Sequence, residues 1–298
     1  DRYDGEIDDV FDLQDRITGA VVGAIEPAIR KADYDRVRRK HPESLDAYDL
    51  YLKALPLSYQ LTREGASGAF ELVEQALRIA PDYAPALALS AWCLEQGFSR
   101  KWQPLTDDDQ KIAGSRARAA LMHGADDANV VAMAGFALQM TNRDYDTGMA
   151  SARRALKLNP NSARALFFAG VTFAAGGDPE QGTTCFKRAM VISPTDSMTF
   201  LFLHLAAMAA FASGRYEEAI DNALESIAIN PDRESVYWYL TSSYAHLGRM
   251  ESAREAAERI LSINPEFSTT HFLDTVAFKS EELKRNIIEG LQKAGLPD

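Results

Sequence analysis

Apolar positions along this chain recur at intervals of three and four residues, the helical period, and two-residue alternation is absent. Ala163 to Ala174 and Glu234 to His246 are amphipathic runs of this kind. Glycine-bearing turns follow such runs at Gly176-Gly177, Gly214-Arg215 and Gly248-Arg249. A second run then closes on a proline, which stops the chain from continuing as helix. Each unit therefore predicts two helices joined by a tight turn. Asp178-Pro179-Glu180-Gln181 adds a strong start signal: a capping Asp, Pro at the first helical position and Gln three residues after the cap.

The units repeat. Ala76-Leu77-Arg78-Ile79-Ala80-Pro81, Ala155-Leu156-Lys157-Leu158-Asn159-Pro160, Ala189-Met190-Val191-Ile192-Ser193-Pro194 and Ser226-Ile227-Ala228-Ile229-Asn230-Pro231 share one ending, with Ile260 to Pro265 close to it. The closing prolines step by 34 from Pro160 to Pro194, by 37 to Pro231 and by 34 to Pro265. Pro81 to Pro160 spans 79 residues, two periods and an insert, and the intervening member ends with Ala125 in the proline position. Such a period is the signature of stacked supersecondary units.

These residues resemble the tetratricopeptide repeat, whose pattern is a large apolar residue, Leu-Gly, an aromatic, then Ala, Phe and a closing Pro. One repeat carries Leu166, Ala169-Gly170, Phe173, Phe186, Ala189 and Pro194; the last full one carries Tyr237, Leu240, Tyr244, Ala253 and Pro265. His204 and Thr241 are read as standing where the family prefers Gly. The resemblance covers residues 43 to 278. It implies an all-α fold: a right-handed superhelical solenoid of about six helix pairs. An amphipathic carboxy-terminal helix, Glu281 to Ala294 with Leu283, Ile287, Ile288 and Leu291 on one side, is expected to cap it.

Two features interrupt the array. The insert around Phe98 to Gln110 holds Trp102, expected to cover a groove end, and Asp107-Asp108-Asp109, expected as the first turn of a helix capped by Thr106. Pro56 predicts a kink or early stop.

Residues 1–42 stand apart as an amphipathic helix and basic linker. Ile7, Val10, Phe11, Gln14, Ile17, Val21 and Ile25 make one stripe, Pro27 should end it, and Arg36 to Pro42 is a basic connector. Arg2-Tyr3-Asp4 through Val10-Phe11-Asp12-Leu13-Gln14-Asp15, and the closing Glu289 to Pro297, resemble the ends of tetratricopeptide regions in bacterial adenylate/guanylate cyclase-like proteins and related regulators. That resemblance, with Asp1 rather than Met at the start, implies a fragment whose catalytic or DNA-binding portion lies upstream. Residues 43–298 are then the repeat array.

Composition narrows the chemistry. Across 298 residues, 32 Lys and Arg against 43 Asp and Glu leave a net charge of −11, which argues against general nucleic-acid binding. The longest apolar stretch, Phe200 to Ala212, is too short for a membrane span and predicts a buried helix. Cys93 and Cys185 read as small core residues, and His41, His123, His204, His246 and His271 are scattered. No catalytic motif, cofactor or metal site is expected, and the chain reads as a non-enzymatic cytoplasmic protein.

In the tetratricopeptide superhelix the first helix of each pair lines the concave side. The resemblance therefore places Trp92, Phe136, Phe167, Phe168, Val171, Leu201, Leu205, Met208, Trp238 and Phe272 on or near an inner wall. Family members that clamp a peptide carboxylate carry Lys, Arg and Asn there. Here the groove is expected to be apolar and to take a protein or peptide segment. Its occupant could also be the amino-terminal helix of the same chain or a second copy in a homodimer; a small apolar ligand is a further alternative. Phe200 to Phe211, apolar all round, is expected to be covered on every side.

Overall fold

The computed structural model describes residues 46–100, 102, 106–193, 198–270, 272 and 276–298. The expected amino-terminal stripe, the basic run from Arg36 to Pro42, His41, Pro194 and His271 lie outside those residues. Thirteen helices are present among the described residues, twelve of them in six antiparallel pairs. The pairs are α1 (Ala47–Ser58) with α2 (Arg63–Ile79), α3 (Ala84–Ser99) with α4 (Asp107–His123), and α5 (Ala128–Asn142) with α6 (Tyr145–Leu158). They continue with α7 (Ala163–Gly176) and α8 (Pro179–Ile192), α9 (Thr199–Ala212) and α10 (Tyr216–Ile229), and α11 (Glu234–His246) and α12 (Met250–Ile263). The last helix, α13 (Glu281–Lys293), packs on α11.

The two helices of a pair differ in what they bury. Second helices hide one narrow stripe: Ala66, Ala69, Val73, Ala76 and Leu77 in α2, and Ala253, Ala256, Ala257 and Ile260 in α12. First helices are nearly all buried, because each touches its own partner, the second helix of the preceding pair and its neighbouring first helices. The expectation for the fifth pair is met: Leu201 through Phe211 are buried without a break.

Close approach within pairs explains the small residues. A Cβ on Gly170 would lie 2.6 Å from the Phe186 ring, and one on Gly182 would lie 2.9 Å from the Gly170 carbonyl oxygen. Gly170 precedes Pro179, the start of α8, by nine residues; Ala207 stands in the same relation to Tyr216, and Thr241 to Met250. Ala207, rather than His204, is therefore the fifth pair's counterpart of Gly170. Six residues separate α8 from α9 where four separate α6 from α7, and three separate α9 from α10 where two separate α7 from α8, so counting a uniform 34 misplaces His204 by almost one turn of helix.

Local signals act as read. Asp178 caps α8, accepting from the Gln181 N–H at 3.2 Å, and Gln181 Nε2 returns a bond to its carboxylate at 2.6 Å. Thr106 and Asp109 form a reciprocal capping box, so the acidic triplet is the first turn of α4. Pro56 lies inside α1, which ends two residues later at Ser58. Cys93 and Cys185 are buried and unpaired.

Neighbouring pairs are stitched by polar bonds as well as packing. Gln139 Nε2 donates to the Thr172 carbonyl at 2.9 Å, and Gln96 Nε2 to the Ser58 carbonyl at 3.2 Å, both buried. On the outer side Arg116 meets Glu74, Arg249 forks onto Glu217, and Arg259 reaches Asp232. Each of these joins one repeat to the next.

Candidate functional site: the inner wall

The first helices α3, α5 and α7 aim their rings at one another. Trp92 meets Phe168 edge-on at 5.1 Å between ring centroids, Phe136 lies 5.4 Å from Phe168, and Phe167 lies 4.9 Å from it. Tyr59 extends the cluster to α1 through Trp92, and Phe202 extends it to α9 through Phe167. Trp92 is in the second pair and Phe168 in the fourth, so the array curls tightly enough for wall residues two repeats apart to touch. Arg164, at the start of α7, closes the same end by donating to the Tyr51 hydroxyl at 3.1 Å.

This curl decides the exposure of the expected groove residues. Trp92, Phe136, Phe167, Phe168, Val171, Leu201, Leu205, Met208 and Phe272 are buried; Trp238 is half-buried. Trp238 packs against Phe272 at 4.9 Å and Phe267 at 6.1 Å, and its indole N–H donates to Glu234 at 3.0 Å. The wall is aromatic, as the sequence suggests, but along α3 to α7 its rings fill the space between helices.

A strap of the chain's own also lies against the array. After α12 the segment Val276-Ala277-Phe278 is buried, and the Lys279 N–H donates to the Ala175 carbonyl at the end of α7 at 2.8 Å. Tyr145 Oη donates to the Ala277 carbonyl at 3.4 Å, and the Lys279 ammonium sits 5.8 Å from that ring. The chain then returns to α11 as α13, where the Ser242 hydroxyl donates to the Ile287 carbonyl at 2.9 Å and Gly290 lies against Ser242. The strap thus links the third and fourth pairs to the sixth.

The wall is not purely apolar, which corrects the sequence reading. Glu95 is buried in α3, Arg100 ends that helix, His204 is buried in α9 and Arg233 precedes α11. Arg233 Nε donates to His204 Nδ1 at 3.1 Å, and the His204 ring lies 5.7 Å from Tyr239. Burial, followed by the Arg233 and Arg100 charges, holds the imidazole well below its ordinary range; the Ser235 backbone pulls weakly the other way. Burial pushes the Glu95 carboxyl up to about 7, with Arg100 and Ser99 opposing. Burial and the neighbouring Arg100 bring Arg233 down to about 9. Both arginines keep some contact with solvent. Sequence reading missed this group because its members lie in three different pairs, and a lone Arg at a helix end carries no local signal.

Nothing else among the described residues gathers ligating chemistry. No group of three His, Cys, Asp or Glu side chains is arranged to hold a metal. His123 sits 3.5 Å from Asp82, and His246 bonds the Asn286 carbonyl at 2.7 Å while stacking on Tyr216. No described helix is long and apolar enough to cross a membrane.

Comparison with known proteins matches this geometry. Residues 138–196 and 204–266 match the model of the tetratricopeptide repeat. Over 121 residues the chain is 26% identical to "Putative adenylate cyclase 3" of Rhizobium meliloti (strain 1021), covering 41% of this chain and 21% of that protein. Among solved structures it is similar to the Cut9–Hcn1 hetero-tetramer of APC/C, with TM-score 0.59 and 14% identity over 92% of this chain and 48% of that one. It is also similar to the human IFIT1 dimer with m7Gppp-AAAA, with TM-score 0.61 and 16% identity over 84% of this chain and 59% of that one. At these identities the structural likeness is one of fold. The chain spans about a fifth of the bacterial relative and about half of the first of these structures.

Proposed function

Starting from a chain that carries tetratricopeptide repeats, we propose that it is a non-catalytic protein-interaction module that regulates or scaffolds an effector domain, cyclase-like or a transcriptional regulator. In this reading residues 1–42 are the tail of an upstream domain and residues 43–298 are the interaction array. The partner is a protein segment received on the inner wall, whose candidate residues are those named from the sequence. The observation that supports this best is the array itself: six stacked pairs give a continuous inner wall built on rigid helices rather than loops. The likeness to a bacterial adenylate cyclase supports the choice of effector. Two buried, unpaired cysteines suit a cytoplasmic setting.

Trp238 is the residue through which to test it, since it alone of the expected wall residues is half-buried rather than buried. Trp238→Asp places a charge where an apolar segment would dock while sparing the interlocked rings of α3 to α7. Partners captured by the wild-type chain are expected to be lost by this variant with its circular dichroism unchanged. A folded Trp238→Asp protein that captures the same partners contradicts the reading.

A second reading, self-association, is supported by a row of exposed apolar residues at the ends of the outer helices. Ile79, Met122, Leu158, Val191 and Ile229 fall near the last turn of α2, α4, α6, α8 and α10. A row with one member per repeat forms a line that a second copy can meet.

A further inference from the structure

The chain's own end lies on the inner wall. Val171 of α7, Met208 of α9 and Ser242 of α11 each stand eight residues before the second helix of their pair begins, so Ser242 is the sixth pair's counterpart of two expected wall residues. By the same count His246 matches Ala175, each four residues before that start. α13 is seated on these positions of α11. Ser242 Oγ donates to the Ile287 carbonyl at 2.9 Å, and His246 Nε2 donates to the Asn286 carbonyl at 2.7 Å. A Cβ on Gly290 would lie 2.5 Å from Ser242 Cα, so the two backbones touch there. The strap meets the fourth pair at Ala175 itself, through the Lys279 N–H at 2.8 Å. Contacts at equivalent places in two pairs put residues 276–298 along the wall rather than beyond the end of the array.

We propose that residues 276–298 are a built-in occupant of the inner wall, which an amphipathic helix of a partner displaces from Ser242 and His246. This rests on the reading that the wall receives a protein segment. α13 itself shows what the seat takes. Leu283, Ile287 and Leu291 recur every four residues and are buried, Gly290 admits the Ser242 backbone, and Glu282, Arg285 and Glu289 are exposed. A partner helix with the same apolar stripe and a small residue in the place of Gly290 fits the seat equally well. Among the described helices α13 packs lengthwise on α11 alone, and its outer face is already hydrated, so its departure uncovers a single stripe. Tethered to the array, α13 competes at the high effective concentration that its connection sets and shuts the seat to weak partners. Trp238 lies about one turn before Ser242 on the same helix, so a segment docking there reaches the seat next.

The test uses the full chain, with a fluorescent peptide of residues 279–298 as probe and the same peptide carrying Gly290→Leu as control. Gly290→Leu in the chain drives a side chain into the Ser242 backbone and lifts α13 from its seat. This variant is expected to bind the probe about tenfold or more tightly than the wild type, whose apparent affinity is lowered by the fraction of chains with an empty seat. The control peptide is expected to bind neither chain, and Ser242→Leu, which fills the seat from the other side, is expected to bind neither peptide. Circular dichroism verifies that the array persists. Amide exchange of the wild type gives a second measure that needs no variant: α13 is expected to exchange through an opening that leaves α11 protected. Equal probe binding by wild type and Gly290→Leu, control peptide binding as well as the probe, or α13 exchanging only together with α11 overturns the built-in occupant. Wild-type chains that trade α13 within a dimer make a second copy the occupant and overturn the assignment to a partner helix. The peptide assay uses no foreign protein, so it can fail while partner loss in Trp238→Asp upholds the interaction reading, and it can succeed where that reading fails.

Discussion

Glu95 illustrates what enclosure does to a single side chain. Its carboxyl is held at about 7, above the ordinary carboxylate range, because burial outweighs the attraction of Arg100. Between about pH 4.5 and 7 the folded chain therefore binds more protons here than the unfolded one, and stability contributed by this group falls as pH rises through that window. His204 works in the opposite sense: its folded basicity is depressed, so its contribution is present above the normal imidazole range and is lost as pH falls below it. Comparing Glu95→Gln with the wild type isolates the carboxyl. The variant is expected to be more stable near pH 8 by up to about 3 kcal/mol and nearly equal near pH 4. Urea unfolding at the two pH values measures this, and a variant less stable near pH 8 would show that the Arg100 attraction prevails instead.

Among helices and turns, the paired architecture is legible in the sequence wherever small residues and closing prolines recur. Gly170, Gly182 and Phe186 belong to one contact, and their types follow from the distance between α7 and α8. Gly170→Val drives a branched side chain into the Phe186 ring, and the expected loss is about 1–3 kcal/mol by denaturant unfolding. An unchanged midpoint would mean that the pair opens more easily than its packing implies. The spacing from α8 to α10 is less legible: three additional residues, two before α9 and one after it, shift the register, and a fixed period misplaces His204. The strap was not legible at all, because Val276 to Lys279 has no helical period and its partners Tyr145 and Ala175 are remote in sequence. Lys279→Pro removes the N–H that reaches Ala175, and a loss of about 1–2 kcal/mol is expected. Faster amide exchange in α13 should accompany it, and unaltered exchange there would show that the strap does not hold the cap.

For the whole molecule, the sequence conveys the solenoid better than its curvature. An inner wall can be read from first-helix aromatics such as Trp92 and Phe168, but their 5.1 Å contact depends on how sharply successive pairs rotate, and no single repeat encodes that sum. The same curl buries most of the expected groove residues, and Arg233 at the start of α11 reaches His204 of α9. Of the expected wall residues only Trp238, in the sixth pair, is not fully buried. On the proposed reading a foreign segment docks there and no second copy is needed. Light scattering coupled to size exclusion, over a wide range of protein concentration, tests that most directly. The account predicts the mass of one chain throughout; a mass that climbs to two chains as concentration rises would contradict it and favour the outer row from Ile79 to Ile229 as the working surface.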